Sequence, residues 1–318
     1  MGLTVRWLRW IGIALGIILF AWALRTVGWE PVWAQIRSLR WGLLLIVAYY
    51  AVIIGLDTWG WRYSFHKKWE SKWATLFLAR MAGEAVNYVT PAWVAGEPIK
   101  AYLLKRRYGV PVSEGLSSVV VAKTTLAGAL LIFSVLGLVL AGASGLLPDS
   151  LVKISLNVLL GLTLLVGLFL MAQRWGLIRR AVAVTRKKSL QGLRIDGRIR
   201  RFYRSQKGRL GLSVLFHFLG WVAGAAEVWL MLHLMGIPIT LTEAWVIESL
   251  WQLLKAGAFF IPAGVGVQEG GIILIFMALG FPLPAGLAMA VIRRIRELVW
   301  AGAGWAVLTG YEYRFSKT

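Results

Sequence analysis

The segment Asn87-Tyr-Val-Thr-Pro-Ala-Trp-Val-Ala-Gly-Glu-Pro-Ile-Lys100 is the most informative part of this 318-residue chain. It lies in otherwise apolar sequence, yet it carries two prolines, a glycine, a glutamate and a lysine. In hydrocarbon, every charge and every backbone group released by a broken helix needs a partner in protein or water. The segment therefore predicts a broken helix that lines a polar cavity or turns back on itself.

A similar pattern occurs about 170 residues later. Residues 109–123 align without a gap on residues 280–294, and a glycine, a proline and a final cation coincide. Upstream, residues 91–97 align on residues 262–269 with one residue inserted. Two copies of one unit explain these matches best, and chance similarity between apolar segments is the alternative.

The composition indicates the class of protein. Hydrophobic residues make up 58% of the chain and charged residues only 15%, which is far from the average of soluble proteins. Eighteen tryptophans suit a protein with two membrane interfaces. The chain has no cysteine, and its three histidines are too few and too scattered for a metal centre. We therefore expect an all-α polytopic membrane protein without a metal or another cofactor.

Apolar runs of sufficient length to cross a bilayer recur along the chain. They lie at about 7–23, 41–61, 113–143, 151–172, 210–235 and 283–308. Most of the 35 cations fall in the termini and in the segments 62–72, 100–107 and 174–209. The positive-inside bias therefore predicts that these segments and both termini are cytoplasmic.

The interrupted segments 73–98 and 244–276 are each predicted to form a re-entrant helical hairpin. The first has basic flanks at both ends, so it enters and leaves on the cytoplasmic side, whereas the second has uncharged flanks and dips in from the opposite face. The halves 1–150 and 151–318 then each contain two spans, a hairpin and a further span, in opposite orientations. Such inverted-topology repeats with broken helices are typical of transporters.

Polar and charged residues inside the predicted membrane segments are the candidate substrate contacts. These candidates are Arg80, Glu84, Asn87, Glu97, Lys123, Lys255, Gln268, Glu269, Arg293 and Arg294. The planar guanidinium of arginine suits a phosphate, and the N-termini of half-helices favour anions. Ion pairing that only stabilises the scaffold is the alternative role for the charged candidates.

Two carboxylates and two histidines have separate interpretations. Glu97 and Glu269 occupy matching positions in the two hairpins, and carboxylates related in this way are candidates for carrying protons between two access states. His217 and His233 are expected to pack at helix interfaces rather than to bind a ligand.

The segment 174–209 is strongly basic, with thirteen lysines and arginines against the single acid Asp196. We expect a solvated cytoplasmic loop in the second half that fixes the topology, with contact to anionic phospholipid headgroups as a secondary effect. Nucleic-acid binding is not expected, because no stacking platform or fold motif accompanies the charge.

Two elements of the sequence carry a family resemblance: Asn87-x-x-x-Pro91-x-x-x-x-Gly96-Glu97 and Pro262-x-Gly264-x-Gly266-x-Gln268-Glu269. They resemble the lysylphosphatidylglycerol synthase transmembrane (flippase-like) family, as a stand-alone member without the transferase domain. The resemblance covers nearly the whole chain and implies movement of lipids or lipid-linked precursors between the leaflets of a bacterial or archaeal inner membrane. A basic residue is expected after the first proline of the family pattern, and this chain has Ala92-Trp93 there.

The expected function is transport of a lipid with a phosphate-bearing headgroup, passive or ion-coupled, since no nucleotide-binding loop is present. One alternative is an integral-membrane enzyme acting on a lipid phosphate, which no catalytic spacing supports. The other is a non-transporting partner of an enzyme of envelope-lipid metabolism. The expected partners are membrane lipids, and formation of a homo-oligomer is left open.

Overall fold

A computed structural model describes residues 24–69, 72–90, 95–175, 195–257 and 266–315, together with Ile18, Ala21 and Trp22. All regular secondary structure in these residues is helical. The first predicted span, at about 7–23, lies almost entirely outside the described residues.

The described part of the chain contains eleven α-helices and one short 3-10 helix, Lys67–Trp69. The α-helices are α1 (Trp29–Ser38), α2 (Gly42–Tyr63), α3 (Trp73–Val89), α4 (Gly96–Tyr108), α5 (Val112–Ala143), α6 (Asp149–Trp175), α7 (Ile195–Ser205), α8 (Lys207–Leu234), α9 (Leu241–Gly257), α10 (Val267–Leu279) and α11 (Leu283–Phe315).

Four helices in the described residues are long and apolar enough to cross a membrane: Gly42–Tyr63, Val112–Ala143, Ser150–Trp175 and Lys207–Leu234. They confirm four of the predicted spans. The helix α11 has 33 residues, about 50 Å in length, but it falls outside this set. Three arginines and a glutamate between Arg293 and Glu297 lower its hydropathy, so that its length alone makes it a candidate span.

Each interrupted segment contains two helices, and the predicted break points at Pro91 and Pro262 lie outside the described residues. The helix α3 ends at Val89 and α4 begins at Gly96, while α9 ends at Gly257 and α10 begins at Val267. Across the first break, the Gly96 amide donates a hydrogen bond to Asn87 Oδ1 at 2.7 Å. The second helix of each pair continues beyond the predicted segment, and α4 includes the basic residues 100–107.

The three helices that follow α2 and the three that follow α8 have closely similar lengths. Both α3 and α9 have 17 residues, both α4 and α10 have 13, and α5 and α11 have 32 and 33. Gly109 and Gly280 end the shorter helices in the left-handed conformation, at φ 67° and 73°. A residue with a Cβ is strained there, so glycine is favoured. Pro111 and Pro282 then precede the long helices.

The halves also pack on each other in a reciprocal way, because α3 lies against α11 and α9 lies against α5. The rings of Phe77 and Trp300 are 6.3 Å apart at the first contact, and those of Trp245 and Phe133 are 4.7 Å apart at the second. The two helices that precede the broken segments, α2 and α8, also pack together.

The helices α2 and α8 run antiparallel. Gly42 lies against Leu234, Tyr49 donates to the Ala223 carbonyl at 3.1 Å, and the Ser64 and Ser213 hydroxyls are 3.0 Å apart. These contacts pair the start of α2 with the end of α8, and the end of α2 with the start of α8.

The end of the segment predicted to be a basic loop is helical, which corrects the interpretation of 174–209 as a loop. The helix α7 occupies Ile195–Ser205, and α8 begins at Lys207. Ile195, Ile199 and Phe202 recur at helical spacing and form a buried cluster with Val121 of α5. Residues 176–194 lie outside the described residues.

The first break depends on close backbone approach, which gives a prediction. A Cβ on Gly96 would lie 1.9 Å from the Gly83 carbonyl oxygen, and two backbones cannot separate as a flexible side chain can. We expect Gly96→Ala to lower the free energy of unfolding by roughly 1–3 kcal/mol. Gly128→Ala in α5 is the control, because nothing lies within 4 Å of the added Cβ. Thermal unfolding of the purified proteins measures both, and equal stability of the two variants would contradict the packing argument.

Candidate functional site

The helices α2, α3, α8, α9 and α11 enclose a cavity of about 210 Å³, which we call the central cavity. Its charged lining consists of Asp57, Arg80, Glu84, Glu227, Glu248, Lys255, Arg293, Arg296 and Glu297. Its aromatic lining consists of Tyr50, Tyr88, Trp221, Trp251 and Trp300. Both halves of the chain contribute to this lining.

Asp57 connects three helices on one side of the central cavity. Its Oδ2 accepts a hydrogen bond from Arg80 Nη2 at 2.8 Å, and its Oδ1 lies 3.2 Å from His217 Nδ1. The Arg80 guanidinium also contacts the Asp57 main-chain carbonyl at 3.4 Å. Since Asp57, Arg80 and His217 belong to α2, α3 and α8, this carboxylate fixes the relative positions of the three helices.

A second group of polar side chains connects α3, α4 and α5. Lys100 Nζ donates to Glu84 at 2.6 Å and to Glu97 at 3.0 Å, and Lys123 Nζ lies 3.0 Å from Glu97. Asn87 Nδ2 donates to Glu97 at 3.0 Å and to Glu84 at 3.3 Å. A small cavity of about 20 Å³ lies beside these residues and has room for a water molecule.

The opposite side of the central cavity contains the ion pairs of the second half. Arg293 contacts Glu248 at 2.5 Å and lies 3.9 Å from Glu227. Arg296 also pairs with Glu227. The four side chains are almost completely buried, and burial of unpaired charges would be strongly unfavourable. They join α8, α9 and α11.

A matching ion pair occurs in each half. In the first, Glu97 near the start of α4 pairs with Lys123 of α5 at 3.0 Å. In the second, Glu269 near the start of α10 pairs with Arg294 of α11 at 2.8 Å. Glu269 also accepts the Gly266 amide at 2.6 Å, which caps the N-terminus of α10. The first pair joins α4 to α5, and the second joins α10 to α11.

Aromatic rings hold the guanidinium groups of the second half in place. The Arg293 guanidinium lies over the Trp251 ring at 4.8 Å, and that of Arg296 lies over Tyr50 at 4.0 Å. Cation–π contact and a carboxylate partner together restrict each arginine to one position. Glu227 Oε1 is buried beside the cavity without a hydrogen-bond partner in the described residues.

The predicted site residues fall into three groups. Arg80, Glu84, Lys255 and Arg293 line the central cavity. Glu97 and Lys123 line the small cavity, together with Arg80 and Glu84. Asn87, Gln268, Glu269 and Arg294 line neither cavity. Asn87 positions the start of α4, and Glu269 with its partner Arg294 positions the start of α10.

The sequence predicts that His217 packs at a helix interface, but it does not reveal its partner there. Its imidazole is 1% exposed, contacts Asp57 and lines the small cavity. Gly60 permits this arrangement, since a Cβ there would lie 2.6 Å from the ring. Asp57 and His217 are 160 residues apart in the chain. The sequence offered one signal for Asp57, which is an acidic residue inside a predicted span. It offered no signal that His217 would be its partner.

The fold and the site together define a class of protein. An all-helical chain with several membrane-spanning helices, folded around buried ion pairs and an internal cavity, is a polytopic membrane protein. The family model of the lysylphosphatidylglycerol synthase TM region matches residues 9–304, so the chain belongs to this family. This match confirms the resemblance found in the sequence. No curated protein and no solved structure matches the chain.

The Asp57–Arg80 pair gives a prediction about stability. Both side chains are less than one fifth exposed, so Asp57→Asn leaves the Arg80 cation without its carboxylate in a poorly solvated place. We expect a loss of about 3 kcal/mol in the free energy of unfolding, and partial recovery in the double variant Asp57→Asn/Arg80→Gln. Denaturant unfolding in mild detergent measures the cycle. Additive effects of the two substitutions would show that the pair contributes no coupling.

Proposed function

We propose that this protein moves a lipid or lipid-linked precursor with a phosphate-bearing headgroup between the two leaflets of the membrane. The observation that carries this proposal is the central cavity, which collects nine charged side chains among helices that are otherwise apolar. Polar headgroups cross hydrocarbon only at high energetic cost, and a cavity of this kind replaces their hydration with protein contacts. The acyl or isoprenoid chains would remain in the surrounding lipid.

We further propose that the two halves are inverted repeats with re-entrant hairpins. The antiparallel packing of α2 and α8 supports this, since these helices precede the two broken segments in equivalent positions. The reciprocal contacts of α3 with α11 and of α9 with α5 are those expected of two units related by a twofold axis. In transporters with this organisation, substrate sites lie between the repeats, where the central cavity lies.

The charges of the central cavity indicate which headgroups it suits. Arg80, Arg293 and Arg296 already contact protein carboxylates, so a phosphate has to exchange with a carboxylate in order to reach a guanidinium. The carboxylate released in this way can accept hydrogen bonds from hydroxyl or amino groups of the same headgroup. We therefore propose a headgroup that carries such groups beside its phosphate. Glu97 and Glu269 are the proposed proton carriers of an ion-coupled cycle.

Transport rather than enzymatic activity is favoured by the region that the family model matches. The match covers the membrane region of the synthase family over residues 9–304. The lining of the central cavity consists of paired charges and aromatic rings, without a nucleophile held by a base in the described residues.

Filling the central cavity tests the proposed function. Ala301→Phe adds a ring to the cavity lining without removing a charge, so it should slow translocation several-fold. The control is Leu168→Phe on the exposed surface of α6. In proteoliposomes, chemical quenching of fluorescent phosphatidylglycerol and phosphatidylcholine reports movement between leaflets. Wild-type protein that moves neither lipid faster than empty liposomes would count against transport of these headgroups, and a changed lipid product would indicate an enzyme.

Single cysteines test the proposed orientation, because the chain contains no cysteine of its own. We expect Lys105→Cys and Ser205→Cys to react with an impermeant maleimide only from the cytoplasm. Ser144→Cys and Leu241→Cys should react only from outside, since the inverted arrangement places these two turns on the opposite face. All four positions are exposed. Cytoplasmic labelling of Leu241→Cys would contradict the inverted repeat.

A further inference from the structure

A second cavity, which shares no lining residue with the central cavity, lies between the C-terminal end of α6 and the helix α7. This cleft has a volume of about 400 Å³. Three arginines line it, Arg174, Arg200 and Arg204, together with Tyr203 and apolar residues that include Leu170. No carboxylate lines it among the residues that the structure describes.

The helix α7 is firmly held in the position that forms this cleft. Its apolar side packs against Val121 of α5 through Ile199 and Phe202. On the same side, Arg198 pairs with Glu114. The remaining arginines of α7 are exposed on the other face.

Hydrogen bonds fix the walls of the cleft. The Tyr203 hydroxyl donates to Gln173 Oε1 at 2.9 Å, and Gln173 Nε2 donates to the Thr124 hydroxyl at 2.9 Å. Gln173 is 1% exposed, so both bonds are made in the interior. Arg200 Nη1 donates to the main-chain carbonyl of Arg174 at 3.2 Å. The cleft is therefore a defined site rather than a gap between two mobile helices.

The arginines of the cleft differ from those of the central cavity in their partners. Arg80 and Arg293 each contact a carboxylate. Within the described ranges, Arg174, Arg200 and Arg204 form no ion pair. Guanidinium groups that converge on one cleft without a carboxylate favour a phosphate, because their planar forks bind its oxygens in pairs.

The surroundings of the cleft indicate the source of that phosphate. Only 6% of the most apolar 18-residue window of α6 is buried, so most side chains of this window are accessible to lipid. Trp175, at the end of α6, is 64% exposed, as is typical of a residue at the membrane interface. The cleft thus begins where the lipid-facing surface of α6 ends, with Leu170 on its apolar side.

We propose that this cleft binds the phosphate of an anionic phospholipid, whose acyl chains lie along α6. A lipid provides both the phosphate for the arginines and the apolar chains for the exposed helix, whereas a soluble phosphate compound provides only the first. The lipid would tie α6 to α7, which also packs on the long helix α5. Binding at this cleft is independent of translocation through the central cavity.

Binding of added lipid to the purified full-length protein tests the proposal. The cleft variant Arg200→Gln/Arg204→Gln is compared with Arg201→Gln/Lys207→Gln, which also removes two exposed cations from the same region but outside the cleft. Each cation near a membrane surface contributes about fivefold to anionic lipid affinity, so the cleft variant should bind phosphatidylglycerol on the order of 25-fold more weakly. Native mass spectrometry with phosphatidylglycerol and phosphatidylcholine measures this loss.

The control variant should retain most of its phosphatidylglycerol binding, and excess inorganic phosphate should not displace the lipid. Equal losses of phosphatidylglycerol binding in the two double variants would contradict a specific site, because they would show that the lipid is attracted by the surface charge in general. Displacement by inorganic phosphate, or equal binding of phosphatidylcholine, would overturn the choice of an anionic lipid. Arg174→Gln removes a cleft cation from α6 instead of α7, and retained phosphatidylglycerol binding by this folded variant would also overturn the site. These binding measurements do not depend on whether the protein translocates lipid, so the cleft and the proposed function are tested separately.

Discussion

Neutralisation of buried charge is the constraint on which this structure depends. A cation in the apolar centre of a membrane protein needs a carboxylate within contact distance, and removing one partner leaves the other in surroundings that solvate it poorly. Arg80 meets this need through Asp57, and Arg293 through Glu248. Because these partners lie on different helices, electrostatics and packing fix the same arrangement. The helices therefore cannot slide past one another without separating these ion pairs.

The broken segments solve the corresponding problem for the backbone. Ending a helix inside an apolar protein exposes amide groups that have no partner in the helix. At the start of α4, Asn87 of the preceding helix accepts the Gly96 amide, and at the start of α10, Glu269 accepts the Gly266 amide. Glu269 also binds Arg294, so one carboxylate satisfies both a backbone amide and a buried cation. The polar residues that mark these segments in the sequence thus have defined structural roles, and the proposed role in transport is additional to them.

Sequence reasoning succeeded where the physical constraint is local. Hydrocarbon selects apolar composition over about 20 consecutive residues, so four spans could be predicted from the chain alone. Proline and glycine act on their own backbone, and in each interrupted segment one helix ends before the predicted break and another begins after it. The partners of charged residues depend on contacts distant in sequence, and the pairing of Asp57 with His217 had no local signal. For the same reason, Trp251 could not be distinguished as a cavity residue among eighteen tryptophans.

The two groups of arginines illustrate how one residue type serves different binding strengths. In the central cavity, a phosphate has to separate Arg80 or Arg293 from a carboxylate, and the cost of that separation lowers the net affinity. A transported headgroup has to leave on the other side, so tight binding would hinder its release. At the cleft, Arg200 and Arg204 are exposed and have no carboxylate to give up. A phosphate there gains charge-assisted hydrogen bonds without breaking an existing pair. Weak binding therefore suits the proposed transport site, and stronger binding suits the proposed lipid site at the cleft.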